Sequence, residues 1–273
     1  MQSCLCSHDR DELQRFLSRD PLLNAYTLGD LDPFFWDRTV WFVSSHDDAI
    51  DEVALLYVGL DLPTLVAMTN TSHATMAGLM SSLVPLLPRR FHAHLSPGLE
   101  GALGEHWDAT AHGTHLKMGL VEPTAVDGRD TTDAQRLGPA DLDDLRSLYR
   151  TAYPANWFDP RMLATGKYFG IRRQGHLVCV AGIHVYSAQT RVAALGNVTT
   201  HPEFRHQGLA STATAALCLD LQGSVDSIGL NVRDDNRDAI GLYRSLGFRE
   251  VAPYGEFFFE SITPAVGSTM APG

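Results

Sequence analysis

The residues best suited to chemistry lie in Gly196-Asn197-Val198-Thr199-Thr200-His201-Pro202-Glu203-Phe204-Arg205-His206-Gln207-Gly208-Leu209-Ala210-Ser211. An apolar strand ends at Pro202, which cannot donate to a sheet ladder. A tight loop follows, and Leu209 to Leu221, rich in Ala and Leu, is expected to be helical. A loop that feeds straight into a helix leaves N–H groups free at the helix start, and the helix dipole adds positive potential there. The chemistry that fits is anion binding, phosphate above all. Gly208 lets a phosphate approach the backbone, Ala210 keeps the next turn uncrowded, and Arg205 adds a formal positive charge. Neither G-x-x-x-x-G-K-[ST] nor G-x-G-x-x-G occurs, and on these six residues alone an ordinary strand–helix turn with a solvated arginine is an equal alternative.

A second cluster follows one strand later. Asn231 stands at a strand end, then come Asn236, Ala239 and Tyr243 on a helix, then Leu246-Gly247-Phe248. Asn236 and Tyr243 are about two turns apart and so share a helix face. Taken in order, the two clusters resemble the GNAT acyltransferase superfamily. Its acyl-CoA loop reads Arg/Gln-x-x-Gly-x-Gly/Ala after a strand, here Arg205 to Ala210, and its later helix carries an Asn, a Tyr and a closing Leu-Gly-Phe. The resemblance covers roughly residues 135 to 260 and is most similar to the branch with glycine N-acyltransferase-like C-terminal domains.

That resemblance implies an N-acyltransferase, most simply an N-acetyltransferase, moving an acyl group from acetyl-CoA or another acyl-CoA to an amine by direct attack. It implies that Val198, Thr199 and Thr200 line the pantetheine arm. The N–H groups of His206, Gln207, Gly208, Leu209, Ala210 and Ser211 would hold the pyrophosphate, with Arg205 beside them. Asn231 and Asn236 would contact the donor, and Tyr243 would protonate the leaving thiolate as general acid. Tyr243 packed on the core, and Asn236 as a plain N-cap, are the bland alternatives. A non-catalytic acyl-CoA sensor or regulatory module is the competing function.

Amine acylation needs a neutral amine. Many relatives carry a Glu on the strand before the loop, but here no Asp or Glu occurs between Asp159 and Glu203. His184 is one candidate base, with an ordinary imidazole pKa of about 6.5. Asn197 could orient a water or the substrate but takes no proton. Glu256 or Glu260 could reach in from a late strand, or the amine could lose its proton to solvent.

These residues need an α/β scaffold, and the sequence supplies one. From Arg136 onward it reads helix (Leu142, Leu145, Leu148, Tyr149), antiparallel strands, strand–helix–strand–helix, then final strands. The expected fold is a GNAT-like mixed sheet flanked by helices, after an N-terminal half that repeats the order as a degenerate copy without the phosphate loop. The boundaries expected are 1–121 for the N-terminal domain, 122–134 for a polar linker, 135–263 for the catalytic domain and 264–273 for a flexible tail. A helix from Pro21 is expected to stop at Gly29, and the Asn24 to Asp30 segment either shapes the acceptor pocket or only supports the fold.

The chain has 273 residues and a formal net charge of −11, which argues against nucleic acid. Four cysteines give no disulfide framework, and Cys4-Leu5-Cys6-Ser7-His8 lacks the remaining ligands of a zinc site, so no metal is expected. No signal-peptide plan or membrane-length apolar run is present, so the expectation is a cytoplasmic protein with no membrane partner. The partner expected is a small-molecule or peptide amine, with a homodimer admitted.

Overall fold

The apolar periods and their breaks resolve, in chain order, into nineteen helices and strands in a computed structural model that describes residues 3–47, 49–154 and 156–262. They are β1 (Ser3–Ser7), α1 (Arg10–Leu17), α2 (Ala25–Asp30), α3 (Pro33–Trp36), β2 (Thr39–His46), β3 (Ala49–Tyr57), β4 (Thr64–Ala67), α4 (His73–Leu83), β5 (Arg90–Leu95) and β6 (Trp107–Leu120). Then come β7 (Ala134–Leu137), α5 (Leu142–Ala152), β8 (Tyr168–Arg173), β9 (His176–Ser187), β10 (Val192–Thr200), α6 (Leu209–Gln222), β11 (Ser227–Arg233), α7 (Arg237–Ser245) and β12 (Phe248–Ser261). Side-chain caps start several helices where the sequence offers one: Asp9 accepts from the N–H of Glu12, Ser72 from Thr75 and Asn236 from Ala239.

The chain forms two compact units. Among the described residues, the first holds 3–8, 38–113 and 254–262; the second holds 9–37 and 114–253. In the first, the strand order is β1-β2-β3-β4-β5 and then the end of β12. Every neighbouring pair is antiparallel except β4 and β5, which run parallel because α4 carries the chain across between them. Met76, Leu79, Met80 and Leu83 of α4 pack with Phe42, Leu65, Phe91 and Phe259 into the core.

In the second unit the order is the end of β6, then β11-β10-β9-β8-β7. Again one pair among its central strands, β10 and β11, is parallel, and α6 makes the crossover. The strand sequence β8-β9-β10-helix-β11 therefore repeats β2-β3-β4-helix-β5, the mixed α/β plan read from the sequence.

The boundaries differ from those expected. The first three helices cluster with the C-terminal strands, because α2 lies across β9, β10 and β11. Gly29 does not stop α2; it sits inside the helix, and a Cβ there would come within 2.1 Å of Val185 Cγ1, so the glycine permits close packing. The polar run 122–134 is no spacer between units. It makes a short 3₁₀ turn at Pro123–Val126 with Val126 buried, and the carbonyl of Gly247 accepts from the N–H groups of Val121 and Glu122. The segment 264–273, expected to be a tail, lies outside the described residues.

Candidate active site

The site begins with a fault in β10. Its parallel pairing with β11 runs from Val192↔Ser227 to Leu195↔Leu230 and stops. On the other side, β10 pairs Gly196 with Gly182 and then Thr199 with Val180, so it carries one residue more than β9 over this stretch. The extra residue is absorbed by Asn197 at φ 56°, a left-handed conformation that Asn tolerates better than other side chains. Tyr149 Oη donates to the Asn197 carbonyl at 3.2 Å, Asn197 Nδ2 donates to Tyr168 Oη at 3.2 Å, and Asn156 Nδ2 donates to Asn197 Oδ1 at 3.3 Å. Asn197 is thus a buried pin for the bulge, with both amide atoms engaged, a structural part beside the one expected of it in orienting water or substrate. Beyond it, the edge of β10 is released from β11.

After β10, Pro202–Phe204 forms a 3₁₀ turn, and the chain enters α6 through His206 at φ 60° and Gly208 at φ 77°. Gly208 is the N-cap of α6 and offers no side-chain oxygen. The first helical hydrogen bond runs from the N–H of Thr212 to the Gly208 carbonyl. Among the described residues, the N–H groups from His206 through Ser211 have no hydrogen-bonding partner. Arg205 is exposed, and its guanidinium donates through Nε to the Thr200 carbonyl at 3.4 Å. A run of bare amides on a helix N-terminus beside a guanidinium is an anion site.

These amides open into a cavity of about 590 Å³. Val198 to Thr200 of β10, Phe204 to His206, and Gly208 to Ser211 form one wall; Asn236, Asp238, Ala239, Leu242 and Tyr243 form the other. Asn236 Oδ1 caps α7 by accepting from the Ala239 N–H at 3.2 Å. Tyr243 is mostly buried, its ring edge-on to Phe248, and its hydroxyl has no hydrogen-bonding partner among the described residues. Burial first, then Tyr153 and Cys218 nearby, raise its pKa well above the ordinary phenol value. Tyr243 therefore stays protonated at any physiological pH and can give its proton to a thiolate but cannot take one from an ammonium.

Gln207 offers its bare N–H, as expected of it, without its side chain lining the cavity; Asn231, also expected to contact the donor, does not line it. Asn231 instead stands on β11 directly opposite Lys117 of β6. Glu256 and Glu260 belong to the first unit, where Glu256 pairs with His94 at 3.4 Å and accepts from Tyr254, and Glu260 pairs with Arg90 at 3.5 Å.

His184 is on β9, and burial lowers its pKa to about 4. A neutral imidazole of such low basicity is a poor acceptor for an ammonium proton, and the expectation of His184 as base loses its support. Sequence reasoning names Tyr26 only as part of the Asn24 to Asp30 segment and does not nominate Lys117. The Tyr26 hydroxyl donates to the Leu195 carbonyl at 3.4 Å, and Lys117 Nζ lies 5.1 Å from the centre of the Tyr26 ring. No local pattern pairs them, because they meet these strands from distant parts of the chain.

Among the described residues no group of His, Cys, Asp or Glu is placed to hold a metal, and no helix is long and apolar enough to cross a membrane.

Residues 138–248 match the model of the acetyltransferase (GNAT) family. No curated protein sequence matches. Solved structures share the fold across nearly the whole chain. A Drosophila protein has a TM-score of 0.70 at 14% identity, covering 95% of this chain and 98% of its own. A protein described as a GNAT-family acetyltransferase, from Novosphingobium aromaticivorans, has a TM-score of 0.59 at 20% identity, covering 89% and 99%. A tandem GNAT protein of the clavulanic acid biosynthesis pathway has 0.55 at 16% identity, covering 97% and 100%.

Proposed function

We propose that this chain, whose residues 138–248 match the model of the acetyltransferase (GNAT) family, is an N-acyltransferase that moves an acetyl group from acetyl-CoA to an amine. The observation that carries the reading is the row of unpartnered N–H groups from His206 through Ser211, opening into the cavity that Tyr243 walls. The amides and Arg205 hold the donor's pyrophosphate. The freed edge of β10 from Val198 to Thr200 hydrogen-bonds the pantetheine arm as a strand would, and Asn236 and Ala239 border it from α7.

The amine nitrogen attacks the thioester carbon; the N–C bond forms and the C–S bond breaks. Tyr243 donates its phenolic proton to the departing sulfur and is reprotonated through solvent. The nitrogen loses its own proton to water, because β9 and β10 carry no carboxylate and His184 is too weakly basic.

The same lack of a strand carboxylate favours a second reading, an acyl-CoA-binding regulatory module without turnover. CoA release measured against a panel of amines separates the two. Transfer is expected, with Tyr243→Phe lowering kcat by about 10²-fold, the low end of acid–base contributions. Micromolar acetyl-CoA binding with no amine turned over would favour the module; no binding at all would defeat both.

A further inference from the structure

The two walls of the donor cavity stand on α6 and α7, and among the described residues no hydrogen bond runs directly between these helices. One side chain bonds to both, and it comes from the polar run 122–134. Arg129 Nη1 donates to Ser211 Oγ at 3.4 Å, in the first turn of α6. Arg129 Nη2 donates to the carbonyl of Ser245, the last residue of α7. Arg129 lies ahead of residues 138–248, the part of the chain that the family model matches.

The run is built to present this guanidinium. It crosses the end of α7 closely: a Cβ at Gly247 would come within 2.2 Å of the Glu122 carbonyl oxygen, and Gly247 at φ 92° closes the helix. Arg249 Nη2 donates to Glu122 Oε1 at 2.6 Å, and Gln222 Nε2, at the far end of α6, donates to the Pro123 carbonyl at 2.9 Å. Val126 is buried and anchors the 3₁₀ turn. The Arg129 N–H then donates to the Val126 carbonyl at 3.3 Å, and Nε donates to the Ala125 carbonyl at 3.1 Å. Held at both points, the side chain has only its planar fork left to place, and the fork spans the two helices.

The two contacts differ in sign. At Ser245 the cation meets an orphan carbonyl at the negative end of α7, which is favourable. At Ser211 it stands at the positive end of α6, which is unfavourable until an anion lies there. Among the described residues no carboxylate pairs with Arg129, so the chain itself supplies no such anion. Tyr243 sits in the same last turn of α7 as Ser245.

We propose that Arg129 is a positioning residue for the transfer: it ties the phosphate-binding turn of α6 to the last turn of α7, so that the bound diphosphate fixes where the Tyr243 hydroxyl stands. This inference rests on the transfer reading above. Arg129 touches neither thioester nor amine. Its charge adds to the hold of the α6 amides on the diphosphate, and its fork keeps the Tyr243 proton within reach of the departing sulfur.

Steady-state kinetics with acetyl-CoA and the fastest amine of the panel separate charge from fork. Arg129→Lys keeps the charge but replaces the fork by a point donor that cannot span both helices. Its acetyl-CoA KM should stay within about twofold while kcat falls about tenfold, part of what the tyrosine contributes. Arg129→Met should lower kcat equally and also raise the acetyl-CoA KM about tenfold, the effect of one lost charge-assisted hydrogen bond. In the Tyr243→Phe background neither change should lower kcat by more than about twofold, because the group being positioned is gone. Arg129→Lys carries the test alone should Arg129→Met not fold. Equal losses of kcat in both backgrounds, or no loss in either, would overturn the inference and leave the transfer reading standing. Acetyl-CoA bound by the wild type with no amine turned over overturns both.

Discussion

The turn entering α4 and the turn entering α6 have the same topology and opposite chemistry. Each follows a strand, leads into a crossover helix and returns to a parallel strand. At α4 the chain satisfies its own amides. Thr69 N–H donates to Ser96 Oγ at 3.0 Å, Thr71 N–H to Thr69 Oγ1 at 3.1 Å, and Thr75 N–H to Ser72 Oγ at 3.2 Å. Ser72 N–H donates to Glu52 Oε1 at 3.1 Å, and Glu52 is a buried carboxylate that also accepts from the Thr69 hydroxyl at 2.6 Å. Nor do the strands part: β4 and β5 pair through Ala67↔Leu95, and the Ser96 N–H still reaches the Ala67 carbonyl at 3.0 Å. At α6 the same positions are bare and the strands separate. A strand–loop–helix crossover is therefore an anion site only when its own side chains leave the amides alone. In the first unit an internal carboxylate already occupies that place.

The comparison breaks most sharply if the two turns are made alike. Gly208→Glu places a carboxylate at the bare amides of α6, as Glu52 does at α4. No atom lies within 4 Å of a Cβ at Gly208, so the side chain fits, although φ 77° strains any L-residue. Acetyl-CoA affinity should fall by more than about 100-fold, given the repulsion and the lost helix-terminus contacts. Gly208→Asn carries the backbone strain alone and should lose only a few-fold. Equal affinity in Gly208→Glu and wild type, by calorimetry, would mean the pyrophosphate sits elsewhere.

The reverse change concerns stability, not binding. Glu52→Leu leaves the part-buried Thr69 hydroxyl without its acceptor and the Ser72 N–H with only Thr69 Oγ1 at 3.3 Å, a cost of about 1–3 kcal/mol. The melting temperature should drop by several degrees with acetyl-CoA affinity unchanged. Burial raises the Glu52 pKa, with Thr69 and Ser72 pulling it back, so Glu52→Gln should be far milder. A loss of acetyl-CoA affinity in Glu52→Leu would show that the first unit shares in donor binding after all.

What the sequence reveals of these turns is local. Gly208, the Ala- and Leu-rich run after it and the Asn236–Tyr243 spacing are short-range patterns, and the structure brings Asn236 and Tyr243 to the cavity together with the α6 turn. Asn197 reads as a water-orienting group because a polar residue in an apolar strand invites a role. The adjacent Gly196 is the signal for its structural part, since glycine inside a strand pattern marks a bulge. The run 122–134 reads as a linker because it has no period, yet Val126 is buried and Arg129 Nη1 reaches Ser211 Oγ at 3.4 Å. Such contacts depend on a fold that no window of residues contains. The placing of α2 with the second unit, and of Tyr26 beside Lys117, is long-range in the same sense.

The smallest effect separates an open polar face from a closed one. His184 keeps an unpartnered Nδ1, and burial alone lowers its pKa from an ordinary 6.5 to about 4. The unfolded chain then binds a proton that the folded chain refuses over this interval. Stability is full above pH about 6.5, where both states are neutral, and falls as pH drops toward 4. His184→Gln removes the group and should flatten this part of the stability curve, read as the difference in melting temperature between pH 7.5 and pH 5. His92 in the first unit is also lowered, by burial and by His112, and is retained in the variant, so some slope persists. A slope identical in His184→Gln and wild type would mean that the imidazole already has a partner in solution, and the face around Gly196 would be closed like the turn at α4.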